Sequence, residues 1–451
     1  MQRSAWQLLA LISLIGLPAT SPAATRARYG GTLVLEIHEA ITFADPGEWP
    51  PSLVPLVYDG LVRLDAQGRT LPALALAWQH DPENKRWEFR LRPGVKFHDG
   101  SPVNAAAVAA CLKLGAHVAV SGEGGTVVIQ KEVPAPDLPA TLADARFVIL
   151  RRGADGVTSG TGPYRIAEWQ AGRHAVLAAN DDYWGGRPYL DGIELRMFRA
   201  FRDQSVDLEL GKADVVELSI EDARRATQRG LHTWTSAPSE LVALAFERGR
   251  APGESLPFRQ TVALSVDRDA IHNVLLQRQG ESAGALLPQW ITGYAFLFPA
   301  ARDLERARQM AAGFPKPGPR ATLSYDSSDT LSRSIAERIA VDAREAGVLI
   351  QVVPGGQADM RIARVPLRSP DPALALFDLA AVFHIGELME PTAVTAEARY
   401  QAEKKAINDY RVIPLCHLPE ILGIGSRVRN WEPQRWGDWR LDNVWLEPRT
   451  P

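Results

Sequence analysis

Ser282 stands at the centre of Gly-Glu-Ser-Ala-Gly, residues 280–284. The pattern G-x-S-x-G is that of the nucleophile elbow. There a strained strand-to-helix turn lifts a serine hydroxyl toward a general base, ready to attack an ester carbonyl. On that chemistry the chain would be a secreted serine esterase with Ser282 as nucleophile. The surroundings argue against it. The preceding DAIHNVLLQRQ has the spacing of an amphipathic helix, where an elbow needs a buried strand. Pro288 follows closely and disrupts a helix within its first turns. No HGGG-type run lies upstream to build an oxyanion hole. Neither His384 nor His417 sits in a recognisable loop after an acidic partner. Ser282 and its glycines are expected to form a turn, and no catalytic residue is expected.

Other reactive groups are few. The two cysteines are Cys111, in an Ala-rich helical stretch, and Cys416, in the apolar strand-like run VIPLCH. Both are expected to be buried thiols; nothing in the spacing decides whether they pair. The nine histidines show no H-E-x-x-H pair and no spacing with cysteine that would hold zinc. No metal and no cofactor are expected. A net charge of -3 gives no broad electrostatic reason to bind nucleic acid or an anionic membrane.

These side chains must be positioned by a chain of 451 residues, long enough for about two or three domains. Its first residues, MQRSAWQLLALISLIGLPATSPAAT, order a positive Arg3, an apolar run from Ala5 to Leu17 and then small residues. That is the order of a secretory signal peptide cleaved near Ala23 or Ala24. No cysteine lies there for a lipobox anchor, and no later segment has about 18 consecutive apolar residues. A periplasmic protein is expected.

Further on, GTLVLEI reads as a strand. RWEFRL alternates Trp87, Phe89 and Leu91 with polar residues, and Pro93-Gly94 and Asp99-Gly100 turn the chain. Asn104 is placed to cap the helix AAAVAACLKL. HAVLAANDDYWGGRPYLDGIELRMF reads as two strands around a turn-rich loop. ATLSY, a helix capped by Ser328 or Asp329 and carrying Leu331, Ile335 and Ile339, and then VLIQVV form a strand–helix–strand unit. Such a unit implies parallel strands and a mixed α/β fold.

Several segments together resemble one family. LPALALAWQHDPENKRWEFRLRPGVKFHDGSPVNAAAV, GTGPYRIAEWQAGRHAVLAANDDYWGGRPYLDGIEL, GKADVVEL, FRQTVALSVDRDAI and, more weakly, ERARQMAAGF and WRLDNVWL are similar, in order, to motifs of the family 5 extracellular solute-binding proteins of ABC transporters. That group includes dipeptide-, oligopeptide- and nickel-binding proteins. Taken alone, these motifs read as scaffold: Gly160 and Gly162 are expected to let the backbone bend before Pro163. The resemblance implies a periplasmic binding protein type II-like fold, two lobes with mixed sheets around a ligand cleft, plus a small inserted domain. The implied layout is a signal peptide over 1–24, a first lobe from 25–60, 156–240 and 418–451, an inserted domain over 61–155, and a second lobe over 241–417. The stretch after Lys113 looks short for the family.

Ligands of open α/β sheets sit beyond the carboxyl ends of strands. This makes His38 and Glu39, after the first strand, and Ser219, after ADVVEL, candidate ligand contacts, with Trp290 as a flat cleft wall. The resemblance adds RVPLRSPDPALALFDL. Asp371-Pro372 matches the Asp-Pro of peptide-binding relatives. Counting back, their ammonium-binding Asp falls on Arg368 and their Trp on Val365. A guanidinium cannot accept a hydrogen bond from an ammonium, but it suits a carboxylate. The implied function is a monomeric periplasmic substrate-binding protein of an ABC importer that hands a small polar solute, peptide-like or anionic, to permease subunits. The alternatives are the Ser282 esterase and a binding protein that acts as a sensor instead of in transport.

Overall fold

The computed structural model describes residues 27–448 except 116, 154–157, 389–394 and 434–437. The expected signal peptide lies outside the described residues.

The first strand, β1 (Thr32–Glu36), buries both faces: Leu33 and Leu35 on one, Val34 and Glu36 on the other. Burial on both sides is the condition of a central strand in a parallel sheet. The chain then builds a small domain with its own core, in which Trp87, Phe89 and Leu91 point inward as their alternation predicts. Its four-stranded antiparallel sheet joins Ala75–His80, Arg86–Leu91, Thr126–Lys131 and Val118–Glu123. The short stretch after Lys113 supplies the last two as a hairpin. Asn104 caps the helix α1 (Ala105–Cys111) by accepting from the Ala107 amide at 2.8 Å.

The chain returns through β2 (Tyr164–Gln170), β3 (His174–Ala179), β4 (Gly192–Arg196) and β5 (Val215–Glu217). Helix α2 (Ile220–Gln228) follows, then the long strand β6 (His232–Phe246). The expected strand–helix–strand unit is β7 (Arg320–Tyr325), α3 (Thr330–Glu345) and β8 (Leu349–Pro354), with β7 and β8 parallel and Asp329 as the cap. The strand β9 (Met360–Pro366), helix α4 (Pro372–Phe383) and the long strand β10 (Val412–Ile424) complete the frame.

All ten strands lie in one sheet, in the order β2-β3-β4-β1-β5-β10-β6-β9-β7-β8. Two lobes share it. One core gathers Leu33, Leu35, Trp49, Tyr58 and Tyr164 with Trp439 and Leu441 from the end of the chain. Two more clusters cover the faces of the second lobe's sheet. Only β6 and β10 belong to both halves. They run antiparallel from His232 opposite Ile424 to Ala245 opposite Val412. At one end β10 pairs with β5; at the other β6 pairs with β9. Between those ends the register breaks on both sides of Pro238, which stands opposite Pro419. Proline has no amide to give to a ladder, so the sheet loses ladder hydrogen bonds where it passes from lobe to lobe.

Gly160 and Gly162 have a different role from the one their sequence implied. Neither has the left-handed backbone of a bend. They lie against Val57 instead: a Cβ on Gly160 would overlap the Val57 carbonyl oxygen, and one on Gly162 would come within 2.6 Å of its carbon. The glycines permit close approach of two chain segments.

Candidate functional site

Ser282 is not in a turn. Glu281–Ser282 form a short strand on the edge of β10, with Glu281 opposite His417 and Ser282 opposite Cys416. The turn comes earlier, at Gln277 and Arg278, which have φ of 50° and 66°; Gly280, with a φ of 70°, lies against the His417 carbonyl. The Ser282 hydroxyl reaches the Arg268 carbonyl at 3.4 Å. The buried His417 ring is engaged at both nitrogens, Nε2 with the Leu286 carbonyl at 3.0 Å and Nδ1 with Glu281 at 3.4 Å. The imidazole is thus not directed at the serine, and no strand-to-helix elbow exists. Ser282→Ala is expected to leave any background hydrolysis of p-nitrophenyl acetate at the wild-type rate; an activity that disappears with the hydroxyl would restore the esterase reading. Both cysteines are free. Cys416 is buried, and burial pushes its thiol up to about 12. Cys111 is only half-buried, against expectation, with its thiol 2.7 Å from the Leu150 carbonyl.

A different site lies where β1 and β5 end side by side. Past β1 the Ile37 amide still reaches the Arg196 carbonyl at 2.9 Å, and then the chain leaves the sheet. The His38 amide donates to Glu217 Oε2 at 2.6 Å. Its ring stacks on Phe201 at 4.5 Å, and Nδ1 lies 3.0 Å from the Arg199 carbonyl. A carbonyl only accepts, so Nδ1 carries the proton. Glu39, next in the chain, faces Arg368 of the other lobe, 4.0 Å away, and Arg368 also donates to the Gly47 carbonyl at 3.2 Å. Two residues chosen as ligand contacts therefore meet each other across the cleft. The small domain also touches the second lobe, where Arg146 makes a two-pronged contact with Asp378 at 2.8 and 3.3 Å.

The other candidates are used differently. The Ser219 hydroxyl caps α2, accepting from the Asp222 amide at 3.1 Å and donating to its carboxylate at 2.7 Å. Asp371 caps α4 through the amides of Ala373 and Leu374, and accepts from Thr141 of the small domain at 2.7 Å. Trp290 donates its indole N–H to the Pro238 carbonyl at 2.7 Å, beside the register break in β6. Val365, where the count from Asp371 put a tryptophan, packs in the second lobe's core.

Two carboxyl groups on the strands beside His38 were not evident from the sequence. Glu217 pairs with Leu422 across β5 and β10, which puts Glu420, two residues along, on the same face and on its diagonal. Burial pushes Glu217 up to about 7; the like charges of Glu39 and Glu240 add to this, and the His38 amide opposes it. Burial, then the charge of Glu217, pushes Glu420 up to about 8. No arginine or lysine is among the groups that set either value. Nearby cations are already engaged: Arg364 is held by Glu240 at 2.5 and 2.9 Å and by Asp329 at 2.9 Å. One signal was available for Glu420, a lone charge within the apolar run VIPLCHLPEILGI. Among the described residues no group of three or more His, Cys, Asp or Glu side chains is arranged to hold a metal. The site can offer hydrogen-bond acceptors on its floor and a guanidinium at its mouth.

Comparison with known proteins identifies the family. Residues 69–365 match the model of the bacterial extracellular solute-binding proteins, family 5. The nickel-binding periplasmic protein of Escherichia coli is 27% identical over 344 residues, 66% of this chain and 66% of its own length. A probable D,D-dipeptide-binding periplasmic protein of the same organism is 23% identical over 252 residues, 49% of this chain and 48% of its own. The matches thus span about two thirds and about half of these relatives. Among solved structures, NikZ from Campylobacter jejuni in complex with Ni(L-His) superposes with a TM-score of 0.80 at 19% identity, covering 92% of this chain and 99% of that one. DppA from Helicobacter pylori with the peptide STSA gives 0.77 at 19% identity over 94% and 99%. Hundreds of residues of matched sequence, joined to a two-lobed fold with a cleft at its strand ends, place this chain in the family 5 bacterial extracellular solute-binding proteins.

Proposed function

We propose that the protein is the substrate-binding component of an ABC importer, exported to the periplasm, that traps a small polar solute between its lobes and presents it to permease subunits as a monomer without catalysing a reaction. The observation that carries this reading is the sheet itself. Two antiparallel strands, interrupted at facing prolines, are, among the described residues, its only strands that pair in both lobes, while Glu39 and Arg368 meet across the lobes. Binding residues on both lobes favour the closed state, because a solute touching both is held best when they approach. The relatives named for nickel and D,D-dipeptides support a small solute.

We divide the chain as its sequence implies, with 61–155 as the inserted domain; the presence of separate cores supports that division. The chemistry of the site narrows the solute. Hydrogen-bond donors of the solute would face Glu217 and Glu420. An anionic group would compete with Glu39 for Arg368. A peptide-like or otherwise amphoteric molecule meets both demands. His38, by its fixed ring, and Trp290, by its place at the crossing strands, would line the same space.

The test is to identify by mass spectrometry the solute that co-purifies from the native host, strip it, and add it back. Its return is expected to shrink the radius of gyration in solution scattering and raise the melting temperature. A constant radius at saturation would remove hinge closure from the mechanism.

A further inference from the structure

Behind the crossing strands lies a second space between the lobes, a groove of about 780 Å³. Its first-lobe wall is α2, with Arg224 and Thr227. Its second-lobe wall carries Asn273 and Val274, and its floor is Thr235 of β6 and Ile421 of β10. Side chains alternate along a strand. Ile421 therefore points away from the face that carries Glu420, and the groove and the cleft lie on opposite sides of the same two strands. At the base Ile220 packs against apolar residues of both lobes. A hydrogen bond crosses the groove, from Arg224 to Gln277 at 3.1 Å.

A hinge formed by the crossing strands turns these two spaces against each other. Rotation that brings Arg368 to Glu39 at the front must carry α2 away from the Asn273–Val274 wall at the back. Rotation that opens the front must narrow the groove. We propose that the groove behind the crossing strands is a counter-lever for the cleft, and that Thr227 and Val274 are positioning residues that set solute affinity without touching the solute. Bulk in the groove opposes its narrowing and so raises the population of the closed form. When only a fraction of the protein is in the binding-competent form, apparent affinity is weakened by that fraction, and a wedge removes the loss. The inference rests on the hinge-closure reading above.

The groove is open to solvent, and Val274 is 67% exposed, so tryptophan can be introduced from either wall. Thr227→Trp and Val274→Trp are made separately. Arg225→Trp is the control, on the same helix but outside the groove and paired with Glu221 and Asp222. Solution scattering is measured on ligand-free protein. Each groove variant is expected to shift the radius of gyration toward the solute-bound value of the wild type, and the control to stay at the ligand-free value. If one variant fails to fold, the other still decides. A folded groove variant that keeps the wild-type ligand-free radius, beside a wild type that does shrink with its solute, overturns the lever alone. A wild type that does not shrink overturns the closure reading, and the lever with it.

Discussion

Gly160→Ala is expected to cost about 3 kcal/mol or more, at the upper end of what overpacking usually costs. The added Cβ would overlap the Val57 carbonyl oxygen and stand 2.7 Å from Tyr58 Cδ1. Neither neighbour can yield cheaply. The Val57 carbonyl accepts from the Gly162 amide at 3.0 Å, and the buried Tyr58 holds Thr158 through its hydroxyl at 2.6 Å. The Gly160 carbonyl in turn accepts from the His98 amide of the small domain at 2.9 Å. Moving the glycine therefore breaks contacts of both the small domain and the first lobe. For a cooperative unit of lobe size, a loss of that order lowers the melting temperature by roughly 6–12 °C. Gly125→Ala, where a Cβ meets nothing within 4 Å, serves as the neutral comparison. Equal melting temperatures for the two variants would show that Val57 can move aside.

The second large effect is on pH. Glu217 and Glu403 are pushed up to about 7 and Glu420 to about 8, in each case chiefly by burial. The amides of Leu286 and Leu287 oppose the shift at Glu403 without cancelling it. In the unfolded chain a glutamate loses its proton near pH 4.3. The folded protein thus keeps protons that the unfolded chain has given up, and stability falls with rising pH over that interval. The contribution of these groups is complete below about pH 4.3 and is lost as pH rises through about 7 and then about 8. A shift of one unit corresponds to about 1.4 kcal/mol, and Glu217 and Glu420 are partly open to water. A loss on the order of 5 kcal/mol from the three groups between pH 5 and 9 is therefore expected. Denaturant unfolding across that range measures it. Glu420→Gln should flatten the curve, since an amide has no proton to lose. An unchanged slope would mean that water reaches Glu420 more freely than its surroundings imply.

Much of the frame was legible because it is written locally. The alternation of Trp87, Phe89 and Leu91, the cap at Asn104 and the strand–helix–strand unit each depend on residues close in the chain. The placement of His38 and Glu39 at a strand end was legible for the same reason. What the sequence hid depends on distant partners. Ser282 belongs to a strand only because Cys416 lies beside it. Arg368 looked free to grip an anion because its contact, Gly47, is 321 positions away. Gly160 looked like a bend because Val57 was not yet beside it. Glu217 and Glu420 could not be recognised as a pair until β5 and β10 were set in register. Ser219 and Asp371 carry a milder lesson: a polar residue after a strand is as readily the cap of the helix that follows.

The facing prolines have a consequence for how fast the protein can work. Near Pro238 and Pro419 the two crossing strands have little backbone bonding to lose, and the amide of Glu420 is held by a side chain, accepted by the Ser236 hydroxyl at 2.9 Å. That hydroxyl donates in turn to the Ala237 carbonyl at 2.6 Å. A hydroxyl on a single rotatable bond can follow its partner through several degrees and keep its bond, whereas a strand-to-strand ladder would have to break. Bending at this joint therefore costs fewer backbone hydrogen bonds than bending an unbroken ladder would. On the proposed function, the time for which a solute stays trapped would then be set chiefly by side-chain contacts between the lobes and much less by the backbone that joins them.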